Sequence, residues 1–329
     1  MSVLPVARRL RDAIVLYWLV VSLTFVLVRL APGDPATMLV PPDASPADVV
    51  RLRHDYGLDA SYAVQYARWL GDLLTGNLGE SFATHEPVTR VLARAAPISL
   101  GLGAASLLLT FLIGVPIGIL QGARRGSGTD RVLTVLTTTV FAMPSFWMAL
   151  ALVAVFTYGA SMWGFPPWMR LPAFGVHTPG AMLTGWQSLR DVLRHAVLPV
   201  SILAAIGAAG IARYTRSSVA DVARQDFVRT ARAKGLGPRQ VYLRHVLANV
   251  LPPLLVLLAL ALPGLVAGSV FVEAVFAWPG MGRAMLSAIA ARDYPVVMAC
   301  ATVYAGIVIT ANLAADLVLP LLDPRRAAS

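Results

Sequence analysis

Residues 97–120 read PISLGLGAASLLLTFLIGVPIGIL and contain no charged side chain. An α-helix of about 20 predominantly apolar residues is long enough to cross the hydrocarbon core of a bilayer. A helix that is apolar all round has no polar face to turn toward water. This stretch therefore predicts a membrane-spanning helix.

Five more apolar runs of comparable length surround this one. The six expected spans are 12–31, 97–120, 132–158, 196–212, 247–272 and 296–322. The fourth run is the shortest. The fifth contains helix breakers, at Pro252, Pro253, Pro263, Gly264 and Gly268. Membrane helices tolerate such residues where neighbouring helices satisfy the freed backbone groups, so we expect a kinked helix inside a bundle.

The composition excludes an ordinary water-soluble domain. Of the 329 residues, 57% are hydrophobic and 13% are charged, and the mean hydropathy is +0.69. Soluble domains contain about 25% charged residues. The expected fold class is an all-α membrane protein of about six transmembrane helices.

The distribution of charge predicts the orientation in the membrane. Sixteen of the 27 basic residues, but only five of the 17 acidic ones, lie on the side that holds both chain ends. Basic residues accumulate in cytoplasmic loops, so we expect cytoplasmic N- and C-termini. The net charge of +10 is then a topology signal, and it does not indicate a nucleic-acid partner.

The first apolar run has two interpretations. Arg8, Arg9 and Arg11 precede it, as in a secretory signal peptide. However, the run is longer than the apolar part of such a signal, and no small-x-small cleavage site ends it. We expect a retained membrane helix.

The sequence contains no recognisable catalytic or metal-binding motif. Lys234 is the only lysine, and Gly235 follows it where a P-loop needs Ser or Thr. No two of the five histidines lie four residues apart, and no HExxH or GxSxG string is present. The lone Cys300 is expected to be a buried, inert thiol. If transport uses ATP, a partner chain must bind and hydrolyse it.

Three extramembrane segments connect the expected spans. Residues 32–96 are a long outer segment with helical patterning, for example over 46–66, and residues 159–195 are a second outer segment. Residues 213–246 are the only large cytoplasmic loop. The predicted domains are 1–95, the first helix with the long outer segment, and 96–323, the membrane domain with this loop.

The 213–246 loop predicts two short helices with a sharp corner. Gly235 suits the left-handed position after a helix, and Gly237-Pro238 suits the start of the next one. A modest apolar stripe precedes the corner, at Val219, Val222, Ala223, Phe227 and Ala231. The loop is either a basic segment held on anionic lipid or a rigid docking element for a cytoplasmic partner.

Short strings along the whole chain carry a family resemblance. DFVRTARAKGL (226–236), followed by His245, Asn249 and Pro252, resembles the coupling loop of binding-protein-dependent ABC permeases. The likeness is to the dipeptide/oligopeptide/nickel branch, and within it to the B-type subunit of peptide permeases. Seven further strings occur in matching order: LAPGDP (30–35), YGLD (56–59), GNLGES (76–81), PSFW (144–147), FAWPGMG (276–282), RDYP (292–295) and LDPR (322–325).

The resemblance implies a type I importer subunit without chemistry of its own. Its expected partners are a homologous second permease, two ATP-binding subunits that hold ATP and Mg, an extracytoplasmic substrate-binding protein, and membrane lipid. The residues expected to dock on the ATPase are Arg229, Thr230, Ala231, Arg232, Lys234 and Gly235. Arg229 departs from the wider family, in which many permeases have Glu at this position.

Two further groups of residues are candidates for the transport path. The resemblance implies a short scoop-like segment at an outer gate, with Glu273, Trp278, Pro279, Gly280 and Gly282. Its alternative is a tight turn capped by an interfacial Trp278. Glu273 and Asp316 are intramembrane acids. They either hold structure, Glu273 by snorkelling or by pairing with Arg283 or Arg292, or bind a cationic substrate group.

The resemblance favours short peptides as the substrate, with nickel chelates, glutathione or oligosaccharides as alternatives. A secondary transporter working alone is the hypothesis outside this class. It predicts ion-coupling carboxylates near the midplane and paired inverted halves, whereas both candidate acids lie near span ends and no repeat is visible.

Overall fold

The computed structural model describes residues 3–30, 45–55, 57–261, 264 and 269–322. LAPGDP after Leu30, the first residue of YGLD, and LDPR after Leu322 lie outside the described residues, as do Pro263 and Gly268. The strings GNLGES, PSFW, FAWPGMG and RDYP lie within them.

Helices account for most of the described chain. They are α1 (Val3–Leu30), α2 (Pro46–Asp55), α3 (Tyr62–Leu74), α4 (Val88–Ala123), α5 (Gly128–Ala142), α6 (Ser145–Met162), α7 (Gly185–Val222), α8 (Asp226–Ala233), α9 (Pro238–Ala261), α10 (Val270–Val275), α11 (Met281–Ala290) and α12 (Tyr294–Leu322). Within these ranges the only strand-like pairing is an isolated bridge between Glu80 and Pro87.

Six of these helices are long and apolar enough to cross a membrane. The segments are Val6–Leu30, Val88–Ala123, Ser145–Met162, Gly185–Val222, Pro238–Ala261 and Tyr294–Leu317. The predicted all-α class and the number of spans are therefore confirmed. The first and second spans begin earlier than predicted, at Val6 and Val88, and the bounds of the third, fourth and fifth spans also differ.

The prediction of one continuous third helix over 132–158 is wrong. Helix α5 ends at Ala142, and α6 begins at Ser145 after an extended Met143 (ψ 131°) and Pro144 (ψ 135°). Proline has no N–H and disfavours helical geometry in the residue before it. Apolar residues lie on both sides of Pro144, so the hydropathy of the sequence shows no interruption at this break.

The fourth span is much longer than the predicted 196–212. Helix α7 covers 38 residues with Pro199 inside it, and its last ten residues occupy the first part of the predicted 213–246 loop. Arg190, Arg194, Arg213 and Arg216 bound the apolar run. Arginine is a good helix former, so the charged ends continue the helix beyond the apolar stretch.

The fifth span begins earlier than the predicted residue 247. Helix α9 starts at Pro238, passes through a π-helical turn at Val241–Val246, and includes Pro252 and Pro253. The continuous described part of α9 ends at Ala261. Residues 262, 263 and 265–268 lie outside the described residues, so the predicted end at 272 stays a prediction.

The chain divides into two compact units. The first contains residues 1–99 and 279–310, and the second contains 100–278 and 311–329. In the first unit, α3 packs on α1, where the ring of Phe25 lies 5.3 Å from that of Tyr66 and 5.4 Å from that of Trp69. The predicted helical patterning over 46–66 is divided between α2 and α3.

A buried carboxylate organises the turn after Gly79 in the first unit. Asp293, 2% exposed, accepts hydrogen bonds from Ser81 Oγ (2.5 Å), Phe82 N (3.1 Å) and Ala83 N (3.3 Å). Ser81 Oγ in turn accepts from Thr84 N at 3.0 Å. The strings GNLGES and RDYP, far apart in sequence, thus form one structure.

In the second unit, α4 and α7 pack along a seam of small residues. A Cβ added to Gly118 would lie 2.5 Å from the Ala212 carbonyl oxygen, and one added to Gly122 would lie 2.7 Å from Val219 Cβ. Gly114 meets the Ala208 carbonyl oxygen at 2.7 Å in the same way. Small residues at every fourth position let the two backbones approach closely.

Candidate functional site

Helix α8 is held against the second unit by two inward-facing residues. Val228 is 0% exposed and Ala231 is 4% exposed, and the two lie one turn apart on the same face of α8. They belong to an apolar cluster that also contains Val219, Val241, Val246, Val250 and Leu254. A rigid base for α8 follows from this packing.

The π-helical turn of α9 supplies the other side of that cluster. Val241 and Val246 are each 1% exposed although they are five residues apart. In a regular α-helix this separation would place them on different faces, whereas an i→i+5 turn brings them to the same face. The local distortion therefore serves the packing under α8.

Helix α8 ends in the corner that the sequence predicts. Gly235 has φ +80°, Gly235 N donates to Arg232 O at 2.9 Å, and Leu236 N donates to Ala231 O at 3.3 Å. These two bonds define a Schellman motif, in which the left-handed residue favours glycine. Pro238 then occupies the first turn of α9, as predicted.

Most of the predicted docking residues face outward. Arg229, Thr230, Arg232, Lys234 and Gly235 are exposed, whereas Ala231 packs inward and has no surface to offer a partner. The predicted apolar stripe also needs correction, because Phe227 is 39% exposed and Val228 occupies the buried position. Val228 does not fit the spacing of the predicted stripe, although it is fully buried.

A groove of about 550 Å³ lies between α8 and the start of α9. It is lined by Phe227, Thr230, Ala231, Lys234, Leu236, Gln240, Arg244 and His245. None of these described lining residues is acidic. The exposed Asp226 is paired instead with Arg229, at 3.3 Å.

An ion pair joins α5 to the last part of α7, next to the base of α8. Arg216 Nε and Nη2 donate to Asp130 Oδ1 and Oδ2 at 2.7 and 2.8 Å, and the Asp130 side chain is 3% exposed. Gly126 N also donates to Asp130 Oδ2, at 2.9 Å. The bond from Arg216, followed by that from Gly126, holds the pKa of Asp130 well below its usual range.

The structure places the predicted intramembrane acids in different surroundings. Glu273 is 0% exposed and accepts a hydrogen bond from Ser269 Oγ at 2.6 Å, so the predicted snorkelling to the surface is wrong. Asp316 lies on α12 with an exposed side chain.

The predicted outer-gate segment begins at a strained helix end. Ala277 has φ +49°, and Trp278 N donates to Glu273 O at 2.8 Å. A left-handed alanine costs about 1 kcal/mol. Trp278 is 4% exposed, so the alternative of an interfacial tryptophan is wrong. The burial of this ring fixes the point at which the chain turns.

The rest of that segment starts α11. Pro279 is exposed, whereas Gly280 and Gly282 are buried at the first turn of the helix. Met281 N donates to Ser99 Oγ of α4 at 2.8 Å, and both groups lie in the first unit. The predicted scoop-like segment therefore runs from α10 through a turn to the first residues of α11, and the bond to Ser99 anchors the start of α11.

Models of two sequence families match this chain. Residues 114–328 match the inner membrane component of binding-protein-dependent transport systems. Residues 3–103 match the N-terminal region of membrane components of the same systems. The chain belongs to this family. It is therefore a multi-pass permease component of the bacterial inner membrane, and its role is transport.

Curated relatives in the family cover nearly the whole permease. It is 37% identical to the di/tripeptide transport system permease protein DppB of Pseudomonas aeruginosa over 97% of both chains. It is 36% identical to the oligopeptide transport system permease protein AppB of Bacillus subtilis over 92% of both chains. The probable D,D-dipeptide transport system permease protein DdpB of Escherichia coli is also 36% identical, over 92% of this chain and 91% of DdpB.

A solved structure shows the same fold. A chain of the inward-facing MetNI methionine ABC transporter superposes with a TM-score of 0.55 at 19% identity. The match covers 72% of the permease and 98% of the MetNI chain. The expected fold of a type I importer membrane subunit is therefore confirmed.

Three structural residues of the permease were not among the candidates. Asp130 and Arg216 form the partly buried ion pair, and Asp293 organises the turn after Gly79. The string Ser127-x-x-Asp130 after a short basic turn is a recognisable helix N-terminus, and the structure shows Ser127 Oγ accepting from Asp130 N at 3.2 Å. No sequence spacing indicates that Arg216 or Ser81 is the partner.

Proposed function

We propose that this permease forms half of the membrane path of an ATP-driven importer of short peptides. The observation that carries the proposal is the near full-length similarity to AppB, DppB and DdpB, whose names describe oligopeptide, di/tripeptide and D,D-dipeptide transport. Residues 96–323 form the permease domain, and both chain ends are cytoplasmic, as the distribution of basic residues favours.

A cytoplasmic ATPase subunit binds ATP and Mg and docks on α8. The exposed Arg229, Arg232 and Lys234 project from a helix whose other face is fixed in the apolar cluster. A docking element that transmits movement has to be rigid. The buried base of α8 and the Schellman corner at Gly235 meet this requirement.

A cavity in the second unit suits a peptide path. It has a volume of about 630 Å³, and Ser106, Thr110, Ser145, Tyr214 and Ser269 contribute hydroxyl groups to apolar walls. None of its described lining residues is charged. The hydroxyls of Ser106, Thr110 and Ser269 already donate within the protein, but a hydroxyl oxygen can still accept from a peptide N–H. Uncharged walls do not select among side chains. A second permease completes the path, and an extracytoplasmic binding protein supplies selectivity.

Nickel chelates, glutathione and oligosaccharides are alternative cargoes for the same machinery. A binding protein that selects the cargo outside the membrane makes these alternatives compatible with an unselective path. A secondary transporter working alone is less well supported, because the buried Glu273 is hydrogen-bonded to Ser269 at one end of α10.

The proposal is tested by purifying the tagged permease from its native membrane and identifying what copurifies. ATP hydrolysis and uptake of a labelled tripeptide are then measured in proteoliposomes with the matching binding protein. We expect a second permease and a P-loop ATPase in the preparation, and uptake that requires ATP. Uptake by the permease alone without ATP would overturn the proposal.

A pair of glycine substitutions tests the docking corner. Gly235→Trp places a bulky side chain at an exposed left-handed position of the proposed interface. Gly180→Trp is the matched control, because Gly180 is also left-handed (φ +75°) and open but lies in the predicted outer segment. We expect loss of the ATPase with Gly235→Trp only. Equal loss with both variants would count against the docking role of the corner.

A further inference from the structure

The groove beside α8 carries charge of one sign. Lys234 on α8 and Arg244 on α9 are both exposed and line it together with His245. The nearby acids Asp130, Asp221 and Asp226 are not among its lining residues. Two like charges on facing helices repel each other unless an anion lies between them.

Part of the groove wall is apolar and is formed by Phe227, Ala231 and Leu236. Phe227 is partly exposed on one side, and Leu236 packs on the cluster below α8 on the other. The hydroxyl of Thr230 donates to Asp226 O at 3.0 Å, so it is already engaged with the backbone. An occupant therefore needs an apolar stem and a negatively charged end.

Lysine occurs at this position and nowhere else in the chain, although the protein has 27 basic residues. A lysine ammonium is a compact charge on a flexible stem with three donors, whereas arginine presents a planar fork. Lys234 is exposed and lies just before the Gly235 corner. Its flexible stem lets the ammonium group adjust its position to a group that enters the groove from the exposed side of α8.

We propose that this groove receives a Glu or Asp side chain of the ATPase subunit that docks on α8. The inference rests on the proposed function and names the chemistry of the partner. The methylene groups of this Glu or Asp side chain contact Phe227 and Leu236, and its carboxylate pairs with Lys234 and Arg244. The same surface of α8 forms the proposed docking element and one wall of the groove. A subunit docked on α8 therefore also covers the groove, which favours a protein occupant over a lipid phosphate.

Charge reversal in the purified complex tests the proposal. Lys234→Glu and Arg244→Glu are compared with Arg239→Glu, an exposed residue of the same region that does not line the groove. We expect each groove variant to lower substrate-stimulated ATP hydrolysis about tenfold, since like charges facing each other across an interface cost several kcal/mol. Arg239→Glu is expected to change it less than about twofold, and the milder Lys234→Gln to fall between.

Two further measurements identify the occupant. An acid-to-lysine scan over the ATPase surface should yield one substitution that restores activity to Lys234→Glu. Lys234→Cys should form a disulfide with cysteine at that same ATPase position, because the only native cysteine, Cys300, is buried. Both results together establish a protein carboxylate in the groove.

Other outcomes overturn the inference. If the groove variants behave like Arg239→Glu, the groove has no such occupant. If their defect appears only in vesicles with phosphatidylglycerol and disappears in pure phosphatidylcholine, the occupant is a lipid phosphate. If wild-type permease brings no ATPase with it, the proposed function itself fails, which is a different result from a complex that assembles without using the groove.

Discussion

The carboxylate of Asp130 and the guanidinium of Arg216 meet in a two-point ion pair that joins α5 to α7, with contacts of 2.7 and 2.8 Å. One turn farther along α7, Val219 packs in the apolar cluster beneath α8. The same stretch of α7 therefore touches both α5 and the base of the proposed ATPase-docking element. If the proposed docking moves α8, we expect the movement to reach α5 through this stretch.

We predict that the ion pair is needed for coupling. Asp130→Asn leaves the Arg216 charge without its partner in a partly buried site, a change that typically costs about 3–5 kcal/mol. Substrate-stimulated ATP hydrolysis should fall about tenfold in the reconstituted complex. Asp221→Asn, at an exposed position of α7, should have no comparable effect.

The exchanged pair Asp130→Arg with Arg216→Asp separates charge pairing from charge position. It should recover part of the activity lost in Asp130→Asn. If the Asn variant keeps wild-type coupling, the pair is only a packing feature.

The Asp130 pKa predicts how the stability of this contact depends on pH. Its folded-state pKa is lowered by Arg216 and by Gly126 N–H, while an unfolded aspartate has a pKa of about 3.9. A lowered folded pKa stabilises the protein above the unfolded value, and this stabilisation is lost as pH falls toward the folded value. The difference in Tm between wild type and Asp130→Asn should stay constant from about pH 8 to 5.5 and shrink below about pH 4. A decrease between pH 7 and 5 would contradict the lowered pKa.

The seam between α4 and α7 predicts a strong dependence on glycine. Gly118→Leu drives a side chain into the Ala212 carbonyl and Thr215, where an added Cβ already lies at 2.5 Å from both. Overpacking typically costs about 1–3 kcal/mol and more when backbone has to move. The detergent-solubilised protein should lose its monodisperse elution peak and several degrees of Tm.

Gly101 provides the matched control on the same helix. A Cβ added there meets nothing within 4 Å, so Gly101→Leu removes a helical glycine without a clash. It should elute like wild type. Equal damage from both substitutions would mean that glycine is needed in α4 for some reason other than this seam.

Asp293 predicts an effect on the distant turn that it organises. Asp293→Ala leaves Ser81 Oγ and the N–H groups of Phe82 and Ala83 without their acceptor. The buried Ser81 hydroxyl alone costs about 1–3 kcal/mol when it is unpaired, whereas water can reach the exposed Ala83. Limited proteolysis should then cut near residues 76–87, a segment that we expect to be protected in wild type. Glu80→Gln, beside Ser81 but exposed, should leave the protection unchanged. Unchanged protection in Asp293→Ala would show that the turn is held by other contacts.

Local patterns in the sequence predicted the elements of this fold well. Apolar length located six spans, and Gly235 with Gly237-Pro238 located the corner after α8, because these features depend on a few neighbouring residues. The predicted bounds of a span were wrong where a proline interrupts the helix or where charged residues extend it beyond the apolar run. The break at Pro144 and the extension of α7 to Val222 are examples.

Contacts between distant segments were not predictable. Asp130 and Arg216 are 86 residues apart, and Ser81 and Asp293 are 212 apart. The residues around Asp130 or Asp293 do not indicate which distant residue each carboxylate will bind. Such a contact requires only that the fold bring the two groups together. The burial of Glu273 and Trp278 was not predicted either, because a local pattern does not show which side chains end in the core.

The spacing of Gly114, Gly118 and Gly122 limits how the permease can change shape. Backbone atoms of α7 occupy each gap, and the gaps repeat every four residues, or about 6 Å along the helix. Any smaller shift of α7 along α4 would press a side chain against the next backbone. Sliding in small steps is therefore disfavoured, and we expect any opening of the proposed path to move the two helices together as one rigid body.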